Sequence, residues 1–171
     1  ERVGLSKGGF YHHFKSREDI LRQIVVDETV DTVSNMERSF VLDDPVTALT
    51  QLFLNGSTSL GAELGVLGTL DSFASKSIYL DELERQLSQY LKPFIVRLME
   101  QGVASGVFRS VDSAATAEIV IAVNDHGNRC AVLGSLEEGQ LTAYNFTAIE
   151  ALARHLGIED EVQTLLSALN S

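Results

Sequence analysis

Apolar residues along this chain recur at spacings of three and four rather than in alternation, which is the period of helices packed by one face. Ile20, Leu21, Ile24, Val25, Val30, Val33 and Met36 predict one long helix from about Arg17 to Phe40. At 1.5 Å per residue it would run about 36 Å, enough to connect two parts of a molecule. Ser16 followed by Asp19 makes a capping box at its start. Ahead of it, Ser6 to His13 reads as a short helix, with Phe10 and Phe14 one turn apart and able to pack inward together.

The pattern continues in the same key. Asp43-Asp44-Pro45 offers an Asp cap and a proline at the first helical position, starting a helix over Val46 to about Ser59. Four glycines between Gly56 and Gly68 then blur the boundaries. Leu80, Leu83, Leu87, Leu91, Phe94 and Leu98 form an apolar stripe on a helix from Ile78 to Gln101, which Pro93 should bend or leave with an unpaired carbonyl. Gly102 and Gly106 bracket its stop. Asp112-Ser113 opens a helix to Leu133, a polar loop runs from Gly134 to Gln140, and a helix follows from Leu141 to Leu156. Gly157 suits a left-handed cap, and Ile158 to Leu169 makes a last short helix. The expected fold is all-α.

Composition narrows the class. With 44% hydrophobic residues and 22% charged ones the chain is globular rather than disordered. No run approaches eighteen apolar residues, no basic-apolar leader opens the chain, and Cys130 alone cannot form an internal disulfide; the expectation is a cytoplasmic protein. The chain opens at Glu1 as if inside an element, so residues upstream are expected. The net charge of -11 argues against a nucleic-acid partner until its distribution is seen. Residues 1–17 carry Arg2, Lys7, Lys15 and Arg17 against Glu1, for +3, while the remainder carries -14. A basic tip on an acidic body suits a molecule that meets DNA with one end.

That tip has the layout of a turn, a short helix, a second tight turn and a capped helix. Gly4 suits the bend of a helix-turn-helix, whose second helix places its N-terminal residues nearest the base edges. Ser6 and Lys7 hold that end. Gly8 and Gly9 cost helix stability but allow close backbone approach, Tyr11 and His12 follow one turn on, and Lys15 can neutralise a phosphate. A surface hairpin whose aromatics merely pack has the same layout.

The string Gly4-Leu5-Ser6-Lys7-Gly8-Gly9-Phe10-Tyr11-His12-His13-Phe14-Lys15-Ser16-Arg17-Glu18-Asp19-Ile20-Leu21 resembles the recognition-helix signature of TetR-like (tetracycline-repressor family) regulators. Leu5 stands where valine is common and Arg17 where lysine is more usual. The resemblance implies DNA contacts at Ser6, Lys7, Gly8, Tyr11, His12 and Lys15, with Phe10 and Phe14 packing the head. It implies that two helices precede this segment in the family, so that residues 1–21 are the C-terminal part of the DNA-binding domain. Residues 22–171 would be the effector-binding and dimerisation domain. The implied function is a transcriptional regulator acting on a palindromic operator, a repressor released by a small-molecule effector. The implied partner is a second copy, paired through helices 113–133 and 141–156, where Ala114, Ala115, Ala117, Ala122, Gly127 and Ala131 would permit close helix approach.

Within the body, Asn124-Asp125-His126-Gly127-Asn128-Arg129-Cys130 interrupts an otherwise apolar helix. Three explanations stand: a hydrogen-bonded polar patch, orienting groups of an effector pocket (Asn124, His126, Asn128), or a metal pair from His126 and Cys130. Two ligands are few for a metal, and no metal or other cofactor is expected. Phe53, Phe73, Tyr79, Tyr90, Phe94 and Met99 can form apolar pocket walls, although ordinary core packing explains each singly. No nucleophile elbow, phosphate loop, zinc signature or paired-carboxylate motif occurs, so an enzyme is not expected. The competing reading is a helical ligand-binding or scaffold protein that does not bind DNA.

Overall fold

The computed structural model describes residues 16–39, 44–53 and 73–169. The first helix, α1 (Arg17–Ser39), follows Ser16, whose Oγ accepts the Asp19 N–H at 3.1 Å. It buries Leu21, Val25, Thr29 and Val33, one line four residues apart. The second, α2 (45–53), starts where the Asp-Pro pair predicts: Asp44 Oδ1 accepts the Thr47 N–H at 3.1 Å. The expected extension toward Ser59 lies outside the described residues.

The predicted helix over 78–101 is longer and has two parts, α3 (Phe73–Gln86) and α4 (Lys92–Ala104), joined through a π turn at Leu87–Leu91. Pro93 explains the interruption. It has no N–H to give, and its ring crowds the carbonyl four residues back. The wider turn answers this upstream, where the Lys92 N–H reaches the Leu87 carbonyl, five residues back rather than four. Leu87 and Leu91 stay buried through the turn, so the apolar stripe passes it intact.

After α4 the backbone reverses at Gly106, whose φ of 75° is left-handed. Phe108 donates its N–H to the Gly102 carbonyl at 2.9 Å and lays its ring where a Gly102 side chain would be. A Cβ there would sit 2.1 Å from the ring, so this buried helical glycine is a packing requirement. Arg109 N–H then reaches the Leu156 carbonyl at 2.8 Å, tying the turn to a distant helix end.

The helix α5 (Ser113–Leu133) has the bounds its periodicity predicts, with Asp112 Oδ1 accepting the Ala115 N–H at 2.9 Å and Gly134 closing it in a left-handed conformation. The next, α6 (Glu138–Leu156), starts three residues before the expected Leu141. The Gln140 side chain accepts the Glu137 N–H at 2.9 Å, so part of the predicted loop is a first helical turn. Gly157 and Ile158 both donate to the Ala153 carbonyl, and α7 (Glu159–Leu169) follows, burying Val162 and Leu166.

The packing is sequential. α1 lies along α3 and the π turn, α4 against α5, α5 against α6 and α6 against α7, while α3 also touches α5. One core, centred on Tyr79, Leu80, Phe94, Ile95, Leu98 and Met99, joins these seams. Salt bridges Arg97–Glu37 and Lys92–Glu118 cross helices at the surface, where such pairs contribute little. All the described secondary structure is helical, in agreement with the all-α expectation.

Candidate functional site

The described residues begin at Ser16, after the short helix expected over Ser6 to His13, so the geometry in view is that of α1 and the helices packed on it. There α1 lies against α3, and the contact is polar near the start of α1. Glu82 is 4% exposed. Its Oε2 accepts Arg22 Nη1 at 2.9 Å and Arg85 Nη1 at 2.9 Å, and its Oε1 accepts Gln86 Nε2 at 2.7 Å. Burial pushes the Glu82 carboxyl up, but the hydrogen bonds from Gln86 and Arg22 and the two guanidinium charges outweigh it, leaving the group below its ordinary value. Because a carboxylate only accepts, Gln86 must turn its amide nitrogen to it; the Gln86 Oε1 is then buried without a donor.

This cluster is absent from the sequence-based expectations. Its local half is visible in hindsight, since Arg85 and Gln86 stand three and four positions after Glu82, as helical neighbours do. Arg22 has no such signal, being sixty positions away.

A second polar cluster accounts for much of the 124–130 run. Arg129 donates Nε to Asp125 Oδ2 at 2.8 Å and Nη2 to Glu84 at 2.6 Å, with Asp81 at 3.6 Å from Nη1. The Asp125 hydrogen bond, opposed by burial and assisted by the charges of Asp125 and Glu84, raises the Arg129 pKa further. Arg129 thereby fastens α5 to α3. Gly127 is buried, and a Cβ on it would meet the Tyr144 ring at 3.3 Å, so its smallness lets α6 approach α5 within one chain. The Tyr144 hydroxyl donates to the Val123 carbonyl at 2.9 Å. Burial foremost, and then Cys130, push its phenol up, which keeps it the donor that this bond needs.

His126 is exposed, its ring tilted on Tyr144 with centroids 5.6 Å apart. Its Nε2 lies 3.5 Å from Cys130 Sγ, as the four-residue spacing predicts. Among the described residues no third ligating side chain joins the pair in a metal site.

The expected effector residues fall into two groups. Phe53 and Phe94 are buried in the core and Tyr90 packs on it half-buried, as do the buried Tyr79 and Met99; Phe73 opens α3. Asn124 and Asn128 are half-buried and His126 exposed on α5, and Asn124 Nδ2 donates to its own helix at the Val120 carbonyl, 3.0 Å. The expected DNA contacts Ser6, Lys7, Gly8, Tyr11, His12 and Lys15, with Phe10 and Phe14, lie outside the described residues.

The outer faces of α5 and α6 are unusual in composition. Ala115, Ile119, Ala122 and His126, spaced four, three and four, form an exposed row on α5. Ile119 is 51% exposed and Leu133 41%. Ala143, Thr147 and Ala151 form a similar exposed row on α6. The expectation that Ala117 and Gly127 serve approach by a second copy needs correction. Both are buried within this chain, and a Cβ on Gly127 would meet Tyr144 of α6. The rows that remain exposed are shorter and lie elsewhere on the helices.

The described residues form a helical body entered by one long helix, α1, and the basic segment ahead of it lies outside them. Residues 1–24 match the family model of bacterial regulatory proteins of the tetR family, a likeness confined to that N-terminal region. No curated protein and no solved structure matches the chain. The family consists of regulators rather than enzymes. Among the described residues, no helix is long and apolar enough to cross a membrane.

Proposed function

We propose that this protein is a cytoplasmic, homodimeric repressor that holds a palindromic DNA operator and releases it when a small molecule binds its body. The observation that carries the reading is the family match over residues 1–24, which runs through the recognition string and into α1. Ser6 and Lys7 read base edges from the start of the recognition helix, Gly8 admits the backbone to the groove, and Tyr11, His12 and Lys15 hold the phosphates. The helix that follows belongs to both parts, so the division between head and body at residue 21 falls inside α1.

Dimerisation through α5 and α6 is supported by the exposed rows of small and apolar residues on their outer faces, with Ile119 at the centre of one. Two-fold pairing sets two heads about one DNA turn, or a multiple of it, apart. Ile119→Glu in the full-length protein is expected to give a monomer by light scattering without loss of helical content. A dimer of unchanged affinity would remove this face from the proposal.

The effector enters the body among Phe53, Phe73, Tyr90 and Phe94, with Asn124, His126 and Asn128 as orienting groups. Since Phe53 and Phe94 are packed in the core, entry parts that core, and the ligand acts only through its different affinity for the parted and closed states. The test of the function is a gel shift of the full-length protein on its own upstream DNA across a salt series. Binding that weakens steeply with salt is expected. Absent or salt-insensitive binding would leave the body as a ligand-binding or scaffold protein.

A further inference from the structure

The Glu82 cluster joins two helices with different duties, and its two arginines make an internal comparison. Arg22 and Arg85 each place Nη1 at 2.9 Å from the same carboxylate oxygen. Arg85 comes from α3 itself, three residues along, and among the described residues its ion pair closes within its own helix. Arg22 comes from the second turn of α1, the helix that leads out of the recognition segment. Its bond is a polar tie between that end of α1 and α3. Glu82 is 5% exposed at its side chain, whereas the Arg22 side chain is 41% exposed. The anchor is therefore fixed and dry, and the moving partner can exchange it for water.

The surroundings show why this tie matters to the helix. Below Arg22 the seam is held by Val25, Thr29 and Val33 on α1, and the Arg97–Glu37 pair fastens its far end to α4. Above it stands Leu21 alone among buried α1 residues. The Gln86 Nε2 also donates to Glu82, so the carboxylate keeps two partners on its own helix when Arg22 leaves.

We propose that Arg22 and Glu82 form a latch that fixes the head-proximal end of α1 to the body, and so sets the direction in which the DNA-binding segment leaves it. Closed, the latch holds that direction. Open, Arg22 goes to solvent, Glu82 keeps Arg85 and Gln86, and the first turns of α1 swing free about the Val25 contact. For its bearing on DNA the latch rests on the regulator reading above; for its mechanics it does not.

The test compares Arg22→Met, Arg22→Lys and Arg85→Met in the full-length protein by amide hydrogen exchange and, separately, by operator affinity. Methionine keeps the apolar stem and removes the charge, and neither arginine is buried, so the fold is expected to survive. Arg22→Met should speed exchange over residues 21–26 by about tenfold, the effect of losing one charge-assisted hydrogen bond, with α5 unchanged. Arg22→Lys should recover part of the protection. Arg85→Met should stay within about twofold of the parent, because its bond closes within one helix. Equal effects of Arg22→Met and Arg85→Met, or acceleration spread evenly over α1 and α5, would overturn the latch. In the affinity arm, weaker operator binding by Arg22→Met alone supports the link to the head. An unaltered operator affinity in a variant whose α1 has loosened would overturn that link. Failure of the parent to bind DNA would count against the regulator reading and leave the exchange result to judge the mechanics.

Discussion

The α1/α3 seam and the α5/α6 seam are closed by different physics. In the first, a buried carboxylate gathers two guanidinium groups and an amide, and the apolar contacts run in a single line from Leu21 to Val33. In the second, a glycine lets an aromatic ring lie against the helix, and the ring's hydroxyl is satisfied by a backbone carbonyl at 2.9 Å. Packing resists displacement in all directions, since a ring moved by an ångström loses its contacts. An ion pair with one solvated partner can open and find water instead. The molecule thus has a tight seam beneath its proposed dimer face, and at α1 a seam that the proposed latch would make releasable.

This contrast can be broken by experiment. The largest effect is expected from Tyr144→Ala, which removes the ring from the tight seam and should cost about 3 kcal/mol, read as a lower urea midpoint with little dependence on salt. Gly127 sharpens the same point. Gly127→Leu should cost roughly 1–3 kcal/mol by overpacking against Tyr144. Gly127→Ala should fall near zero, because about 1 kcal/mol of helix propensity offsets a contact at 3.3 Å. A neutral leucine variant would mean that α5 and α6 are not tightly closed.

Glu82→Gln, in the other seam, should cost roughly 1–2 kcal/mol at neutral pH. Here pH separates the two seams. The Glu82 carboxyl lies below its ordinary value when folded, so its contribution is complete above the unfolded value of about pH 4.3 and disappears as pH falls through the folded one. Stability curves of parent and Glu82→Gln should therefore converge in acid, whereas those of parent and Gly127→Leu should stay apart. The smallest effect belongs to Arg97→Met, whose pair with Glu37 is half-exposed on both sides: at most about 0.5 kcal/mol, vanishing in high salt.

How much of this was legible in the sequence differs between the same regions. The bounds of α5 follow from Asp112, the apolar period and Gly134, all local signals, and the structure has them at the expected residues. The start of α6 was misplaced because Gly139 and the polar run before it resemble a loop; only the Glu137–Gln140 cap reveals the helix. Pro93 announced an interruption, but a π turn placed upstream of it cannot be read from a proline alone. The Arg22–Glu82 bond was illegible, since nothing local links residues sixty positions apart. Arg129 stands in a legible polar run, yet its partners on α3 depend on how the helices pack. Local chemistry announces caps and periods. The seams arise from tertiary packing.

The central claim is that the basic segment ahead of α1 binds DNA. Its most direct measurement is the affinity of the full-length protein for its own upstream DNA as a function of salt, beside Lys7→Ala and Tyr11→Ala. The account predicts a linear fall of log affinity with log salt concentration, with a slope reduced by about one in Lys7→Ala if that lysine meets a phosphate. Lys7→Ala weakening binding without a change of slope would point to base contact instead. A parent that does not bind, or binding indifferent to salt and to both substitutions, would contradict the account.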